Sequence, residues 1–263
     1  MLLGKKIGVG VITCDRLNFL RKLVDSITPC EHMIDHLVVV NDGQEEPSWK
    51  LPYGEWLNNE TNVNVGESKN RAMRHLLNLD CDYIFTLEDD IIINDTDVFK
   101  KYIHAHQVTG LHHFNFGFSQ QENLDSDLKP VYRKIIDYGE LKLVLTKNIL
   151  GAFTFYTKHA LQTIGLHHVL FDKGHGDHLE LTYRAYKHNL GSPFWWFADI
   201  HDSWNMIHNQ SNFTTDSVVR NNNFQQNFAA ARKSFHMLHG HDIFQVPEMT
   251  SSQVVEYLKR LKT

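Results

Sequence analysis

The segment Tyr83-Ile-Phe-Thr-Leu-Glu-Asp-Asp-Ile-Ile-Ile93 carries the sharpest local signal in this chain. It places three adjacent carboxylates, Glu88, Asp89 and Asp90, between two apolar runs. The first run predicts a buried strand, and the second predicts that the chain returns to the core after an acidic turn. Neighbouring carboxylates repel one another and lose hydration beside a core. We therefore expect a counter-charge here, such as a divalent cation that prefers oxygen ligands. The alternative is a solvated turn in which Asp89 or Asp90 acts as a cap.

Two apolar runs upstream, residues 7–13 and 37–40, also end in polar turns. Between them, Leu, Val and Ile recur at helical spacing until Pro29, and a second helix is predicted from about residue 67 to 79. Residues 44–62 are predicted to form a loop. This β-α-β-α-β order predicts an α/β fold with a mostly parallel central sheet flanked by helices. Ligands of such sheets bind at the carboxyl ends of the strands, so the three polar turns should converge.

The second half of the chain is less regular, with a small meander predicted within residues 110–149. The elements predicted after it are a strand at 151–156, helices at 158–164 and 177–188, and an aromatic strand at 194–197. Thr250-Ser-Ser-Gln253 has the form of a capping box and opens an amphipathic helix that reaches Leu261. The aromatic residues of this half can either pack in the core or stack on a sugar; they are Phe153, Phe155, Trp195, Trp196 and Trp204.

Composition narrows the class of protein. The chain has 263 residues, of which 42% are hydrophobic and 22% charged, which is typical of a globular domain. No apolar run approaches the ~20 residues of a membrane-spanning helix, and we expect a cytoplasmic protein. Three cysteines without C-x-x-C spacing indicate neither a disulfide framework nor a cysteine zinc site. The net charge of −5 argues against a broad basic surface for nucleic acid.

Two further positions carry candidate chemistry. Asp177 and Glu180 fit a helix start, with Glu180 also spaced to pair with Arg184. Because this acidic start follows the Gly174-His175-Gly176 loop, a carboxylate there can also act as a general base for an acceptor hydroxyl. His208 can be a structural histidine without a functional role. Alternatively, its imidazole completes a metal site formed by carboxylates, and His201 is the other candidate for this ligand.

Seven segments in this order resemble the GT-A-fold glycosyltransferases, especially family 2 and its relatives that transfer galactose or N-acetylgalactosamine. The resemblance covers most of residues 5–215. The matching segments are Gly10-Val-Ile-Thr-Cys-Asp-Arg16, Val38-Val-Val-Asn-Asp-Gly43, Asn64-Val-Gly-Glu-Ser-Lys-Asn-Arg71, Leu87-Glu-Asp-Asp90, Leu150-Gly-Ala-Phe-Thr-Phe-Tyr156, Gly176-Asp-His-Leu-Glu-Leu-Thr-Tyr-Arg184 and His208-Asn-Gln-Ser211.

The resemblance implies a Rossmann-like catalytic domain over residues 1–225, with a nucleotide-sugar half at 1–110 and an acceptor half at 111–225. Residues 226–263 would be a helical extension. The donor would be a nucleotide sugar, usually a UDP-sugar, and the cofactor Mn²⁺ or Mg²⁺. The acceptor would be a glycan or another hydroxyl compound.

The resemblance also implies a role for each matching residue. The nucleobase would be surrounded by Thr13, Arg16 and Asp42, and the ribose and phosphates would lie near Asn64, Gly66, Lys69 and Arg71. Asp90 and His208 would bind the metal, with Glu88 as a further ligand and Glu88 and Asp89 supporting the nucleotide. The catalytic residues would be Asp177, His178 and Glu180.

Two positions depart from the family pattern. Asn41 replaces the first Asp of the base-binding turn, which leaves the nucleobase open. His178 stands where many inverting members keep their base Asp, so the base is either Asp177 or a pair in which His178 shares the work. Retaining relatives carry Asn at that position; we expect inversion.

Three other functions compete with this interpretation. A sugar-nucleotide nucleotidyltransferase would carry a Gly-rich basic loop where this chain has Thr13-Cys14-Asp15-Arg16. A non-catalytic sugar-binding module would show no turnover. A transferase acting on a modified nucleic-acid base would need more basic residues than Lys100-Lys101 and Arg232-Lys233.

Overall fold

The computed structural model describes residues 4–45, 47–118, 123–171, 175–210 and 224–262. Ser211 and Gly174, which belong to two of the predicted motifs, lie outside these ranges. The strands are β1 (Ile7–Thr13), β2 (His36–Asn41), β3 (Glu55–Asn58), β4 (Tyr83–Glu88), β5 (Ile91–Ile93), β6 (His113–Asn115), β7 (Lys134–Asp137), β8 (Lys142–Thr146), β9 (Phe153–Thr157), β10 (Phe197–Ile200) and β11 (Ile207–Asn209). The helices are α1 (Leu17–Ile27), α2 (Asn64–Asn78), α3 (Val98–Thr109), α4 (Lys158–Ile164), α5 (Asp177–Lys187), α6 (Ser203–Met206), α7 (Phe224–His239) and α8 (Ser251–Leu261).

The central sheet has the strand order β3-β2-β1-β4-β9-β6. The strands β3, β2, β1 and β4 run parallel, and β9 pairs antiparallel with β4 and with β6. The prediction of a mostly parallel sheet flanked by helices is therefore confirmed. The order of the strands reverses at β1, and such a switch point leaves a crevice beyond the carboxyl ends of the strands.

Helices cover both faces of the sheet, because β1 carries apolar side chains on one face and glycines on the other. Its residues Ile7, Val9 and Val11 point into the core on the side of α1, α3 and α8. On the opposite face β1 carries glycine, which lets α2 pack closely. A Cβ on Gly8 would lie 2.7 Å from Leu76 Cδ2, and one on Gly10 would lie 2.7 Å from Ala72 Cβ.

The C-terminal part of the chain packs against the same core. Trp196 Nε1 donates to the carbonyl of Met249, and Trp195 Nε1 donates to that of Val246. The Thr250–Gln253 capping box is present and α8 follows it, as predicted. Val254 and Leu258 of α8 lie in the main core cluster. Phe153 and Phe155 are also fully buried there, so core packing is their role.

Two predictions of secondary structure were wrong. The expected loop at 44–62 contains β3, a short strand at the edge of the sheet that lacks the continuous apolar run of a central strand. The aromatic strand expected at 194–197 begins only at Phe197. Trp195 has a φ of 70°, in the left-handed region that strands do not use. No helix among the described residues has the length and apolar character needed to cross a membrane.

His113 of β6 makes the fold sensitive to acid. Its imidazole is buried, bonds the carbonyl of Phe155 and the hydroxyl of Thr182, and stacks on Tyr156 with 4.4 Å between the ring centres. Burial lowers the pKa of His113 to about 4. The stability contributed by the neutral ring is therefore complete above pH ~6.5, the ordinary histidine pKa, and is lost as the pH falls towards 4.

The wild type should have a larger free energy of unfolding than His113→Gln at pH 7. We expect this difference to decrease by about 3 kcal/mol between pH 7 and pH 4. Urea unfolding at several pH values measures it. The exposed His188→Gln is the control and should follow the wild type. An unchanged difference between wild type and His113→Gln would contradict the assignment of a neutral buried ring.

Candidate active site

The carboxyl ends of β1, β2 and β4 meet at one edge of the sheet. Asp42 N donates to the carbonyl of Thr13 at 2.8 Å, and Asp89 N donates to the carbonyl of Ile12 at 3.2 Å. The polar turns that follow these three strands are thus in direct contact. This confirms the convergence that the parallel order predicts.

Arg16 and Thr13 hold the acidic turn from the β1 side. The Thr13 hydroxyl donates to Asp89 Oδ2 at 2.7 Å, and the Arg16 guanidinium pairs with Asp89 and reaches Asp90 Oδ2 at 3.3 Å. Burial raises the pKa of Asp89 to about 7, although Arg16 opposes this shift. Burial and the charge of Glu88 also raise the pKa of Asp90. Arg16 therefore compensates only part of the cost of crowding and burying these carboxylates.

His208 reaches the acidic turn through a two-stranded ribbon. Strand β11 pairs antiparallel with β5, and His208 lies opposite Ile92. Gln210 N donates to the carbonyl of Asp90 at 2.7 Å. The ring of His208 is stacked beside Trp204, with 6.4 Å between ring centres. Asp90 and His208 therefore lie on adjoining segments.

The residues predicted around the nucleotide fall into two groups. Asp42 Oδ1 accepts bonds from Asn59 Nδ2 and from Val63 N, so this carboxylate fixes the start of α2. Arg71 is tied to the end of β3, where it donates to the carbonyl of Asn58 at 2.7 Å. The first turn of α2 remains close to the crevice, with Asn64 exposed and Gly66 buried. A helix N-terminus is a favourable position for a diphosphate.

Lys69 is buried and joins the acidic turn to α5. Its Nζ donates to Glu88 Oε1 at 2.6 Å and to the carbonyl of Gly151 at 3.1 Å, and it lies 3.9 Å from Asp177 Oδ2. Burial would lower the pKa of Lys69, but the charges of Glu88 and Asp177 outweigh it and raise the pKa. Lys69 is thus a charged internal link and not a free ligand for phosphate.

Asp177 and His178 form a hydrogen-bonded pair at the start of α5. His178 Nδ1 lies 3.2 Å from Asp177 Oδ1. The Asp177 side chain is 2% exposed, whereas that of His178 is 23% exposed. Burial would raise the pKa of Asp177, but Lys69 and the neighbouring histidines hold it well below its usual value. The carboxylate is ionised and enclosed, and the imidazole is the member of the pair that solvent reaches.

Gly151 forms the wall between these groups. A Cβ at this position would lie 2.8 Å from Lys69 Nζ, 3.1 Å from Glu88 Oε1 and 3.2 Å from His178 Nδ1. Any side chain here would push the three groups apart. The sequence interpretation placed Gly151 in a family motif but did not identify this contact.

The Glu180 carboxylate is hydrogen-bonded to other side chains of the protein. Both of its oxygens accept bonds at 2.8 Å from the Arg184 side chain, and Oε1 also lies 3.0 Å from His239 Nε2 of α7. The pairing with Arg184 that the spacing predicted is present. The contact with His239 was not predicted, because it joins residues that are distant in the sequence.

A divalent cation fits the charge at this site. Among the described residues that these contacts join, four carboxylates (Glu88, Asp89, Asp90 and Asp177) face two cations (Arg16 and Lys69). Within the part of the chain that the structure describes, no three His, Cys, Asp or Glu side chains form a metal site by themselves. Mg²⁺ commonly binds through one or two carboxylates together with waters and substrate phosphates. Such an ion would complete its coordination with the diphosphate.

Solved structures share this architecture. S. aureus TarS aligns with 97% of the chain at a TM-score of 0.59 and 12% identity, and the chain spans 42% of TarS. For residues 1–349 of TarS in complex with UDP-GlcNAc, the TM-score is 0.59, the identity 13%, and the chain spans 71%. The mannosyltransferase PcManGT from Pyrobaculum calidifontis, in complex with GDP-Man and Mn²⁺, aligns with 98% of the chain at a TM-score of 0.58 and 10% identity, over 69% of its own length.

The chain has the GT-A fold. This confirms the fold that the seven sequence segments implied. No protein-family model matches the chain, and a search of curated protein sequences finds no significant match. At 10–13% identity the structural likeness establishes the fold alone.

The Lys69 link should dominate the stability of the site. In Lys69→Met, two carboxylates lose their shared counter-charge inside the protein, and we expect the free energy of unfolding to fall by about 3–5 kcal/mol. The double variant Lys69→Met/Glu88→Gln should recover part of this loss, because one of those charges is removed as well. Urea unfolding measures both variants.

Lys101→Met is the matched control, because Lys101 pairs with Asp95 at 2.6 Å on the surface. Exposed ion pairs contribute little, so its stability should stay close to that of the wild type. An equal, small effect of Lys69→Met would show that the buried link is unimportant.

Proposed function

We propose that this protein is a metal-dependent glycosyltransferase that moves a sugar from a nucleotide-sugar donor to an acceptor hydroxyl. The observation that carries the proposal is the Lys69 link, which joins the acidic turn to the Asp177–His178 pair. This link would hold a site for the leaving diphosphate and a site for proton removal together in one crevice. The GT-A fold supports the same conclusion.

The donor is proposed to be a UDP-sugar. Its nucleobase would lie at the turns that contain Thr13, Arg16 and Asp42, and its ribose and phosphates near the first turn of α2, with Asn64 and Gly66. The neighbouring structures support a nucleotide sugar as the class of donor, since TarS is in complex with UDP-GlcNAc and PcManGT with GDP-Man. The identity of the nucleobase has to be measured, because Asn41 departs from the family pattern.

A divalent cation, Mn²⁺ or Mg²⁺, would be held by Asp90 and His208, with Glu88 as a further ligand and Asp89 in support. When bound, it would neutralise the charge that develops on the departing diphosphate. The Mn²⁺ ion in the PcManGT complex supports a metal of this class.

The Asp177–His178 pair is proposed to be the general base, and the outcome inversion. With Nδ1 of His178 bonded to Asp177, Nε2 is left to accept the proton of the acceptor hydroxyl. The enclosed Asp177 carboxylate orients the imidazole and stabilises the imidazolium that forms. Glu180 would act at a distance, by holding Arg184 and α7 beside the start of α5.

A nucleotidyltransferase is disfavoured because the turn after β1 presents Arg16 to the acidic turn and has no Gly-rich basic loop. A non-catalytic sugar-binding module would not need the Asp177–His178 pair beside the acidic turn. A modified nucleic-acid base remains the minority candidate for the acceptor, and a mobility shift with duplex DNA at low salt is its test.

Donor hydrolysis tests the proposal without knowledge of the acceptor. The purified protein is incubated with UDP-, GDP-, CDP- and dTDP-sugars, with Mn²⁺ or with EDTA, and the free nucleotide is measured. We expect release from one donor with Mn²⁺, none with EDTA, and a loss of about 100-fold or more in Asp90→Asn. Exposed Asp127→Asn is the control. Release from no donor, together with no metal-dependent nucleotide binding by calorimetry, would contradict the proposal.

The identity of the base is tested with His178 variants and water as the acceptor. His178→Asn should reduce the rate of donor hydrolysis by about 100-fold or more, because no base then takes the proton from water. His178→Asp should retain more activity than His178→Asn, since a carboxylate can serve as base. Nucleotide-sugar affinity should be unchanged in both variants. Equal rates for wild type and His178→Asn would assign the base elsewhere.

A further inference from the structure

His167 is a buried histidine between α4 and α5, and the proposed transfer mechanism gives it no role. Asn70 of α2 fixes its backbone, since Asn70 Nδ2 donates to the His167 carbonyl at 2.9 Å and His167 N donates to Asn70 Oδ1 at 2.8 Å. The side chain is 2% exposed, and neither ring nitrogen makes a hydrogen bond of good geometry, although the backbone of Asp177 interacts with the ring. Buried polar groups without partners are uncommon and require an explanation.

The ring of His167 faces the proposed base pair. His167 Nδ1 lies 3.7 Å from Asp177 Oδ2, and this oxygen is itself buried without a hydrogen-bond partner. Lys69 Nζ lies 3.9 Å from the same oxygen. An unpartnered ring nitrogen therefore faces an unpartnered carboxylate oxygen, and a movement of under ~1 Å brings them to hydrogen-bond distance. Catalytic hydrogen bonds are often long without substrate and shorten in the complex.

His167 supplies a donor without a charge. The titratable groups that face it are Asp177 and His178 of α5, Lys69 of α2 and His113 of β6. Burial lowers its pKa to about 4, although the charge of Asp177 opposes the shift. A neutral ring can hold an Asp177 oxygen while leaving the negative charge of Asp177 intact. That charge is what stabilises an imidazolium at His178.

We propose that His167 is a positioning residue: its Nδ1–H holds Asp177 Oδ2, so that Oδ1 stays directed at His178 while that imidazole takes the acceptor proton. This inference rests on the proposed transferase function. His167 itself contacts neither donor nor acceptor; it acts through Asp177.

The test compares three variants in the donor-hydrolysis assay with water as the acceptor. The amide of Asn reaches the place of a histidine Nδ1, that of Gln reaches the place of Nε2, and Phe keeps the ring shape without a donor. We expect His167→Phe and His167→Gln to lose about 10- to 100-fold in kcat with KM for the sugar nucleotide unchanged. His167→Asn should stay within about threefold of the wild type.

Equal loss in His167→Asn and His167→Phe would overturn the proposal, and so would wild-type kcat in His167→Gln. A double-mutant cycle adds a second criterion. Placed in an Asp177→Asn background, His167→Phe should cause no further loss, whereas a full additional loss would show that His167 acts independently of Asp177.

Histidine ¹⁵N NMR of the wild-type protein measures which ring nitrogen of His167 carries the proton. It tests the proposal even if the variants fail to fold. We expect the His167 ring to carry its proton on Nδ1, and a proton on Nε2 would overturn the proposal. Absence of donor hydrolysis in the wild type would contradict the proposed function instead. Wild-type turnover with unaffected His167→Phe and His167→Gln variants would contradict this inference alone.

Discussion

The burial of the Lys69 ammonium is the constraint on which the site depends. An unpaired ammonium inside a protein costs several kcal/mol, so α2 can pack here only with carboxylates around it. Glu88 at the end of β4 and Asp177 at the start of α5 provide that charge, and the Gly151 carbonyl provides a further acceptor. One interaction therefore fixes both halves of the crevice relative to each other.

Arg16 and Lys69 divide the acidic residues into two groups. Arg16 lies with Asp89 and Asp90 on the side of β1, while Lys69 lies with Glu88 and Asp177 on the side of α5. Both cations are anchored in the protein, so neither can follow a substrate. The crowded carboxylates that these two cations leave incompletely compensated are the physical basis for the proposed divalent cation.

The sequence predicted the sheet and most helices because their signals are local. Apolar runs and helical periodicity define β1, β2, β4 and α2 within a few residues, and polar turns after parallel strands must share one edge. The edge strand β3 was missed because four residues with little apolar character leave no periodic pattern. The left-handed Trp195 was missed because nothing in the aromatic run indicates a positive φ.

Local sequence patterns were sufficient to predict the fold, the acidic turn and the helix start at Asp177, since each depends on residues that are neighbours in the chain. The pairing of the charges became apparent from the three-dimensional arrangement alone. Lys69 matched a segment near the phosphates, yet it is buried beside Glu88 and Asp177; Glu180 matched a catalytic position, yet it binds Arg184 and His239. The physical reason is that charge pairing and burial depend on distances between elements far apart in the chain, which no local pattern encodes.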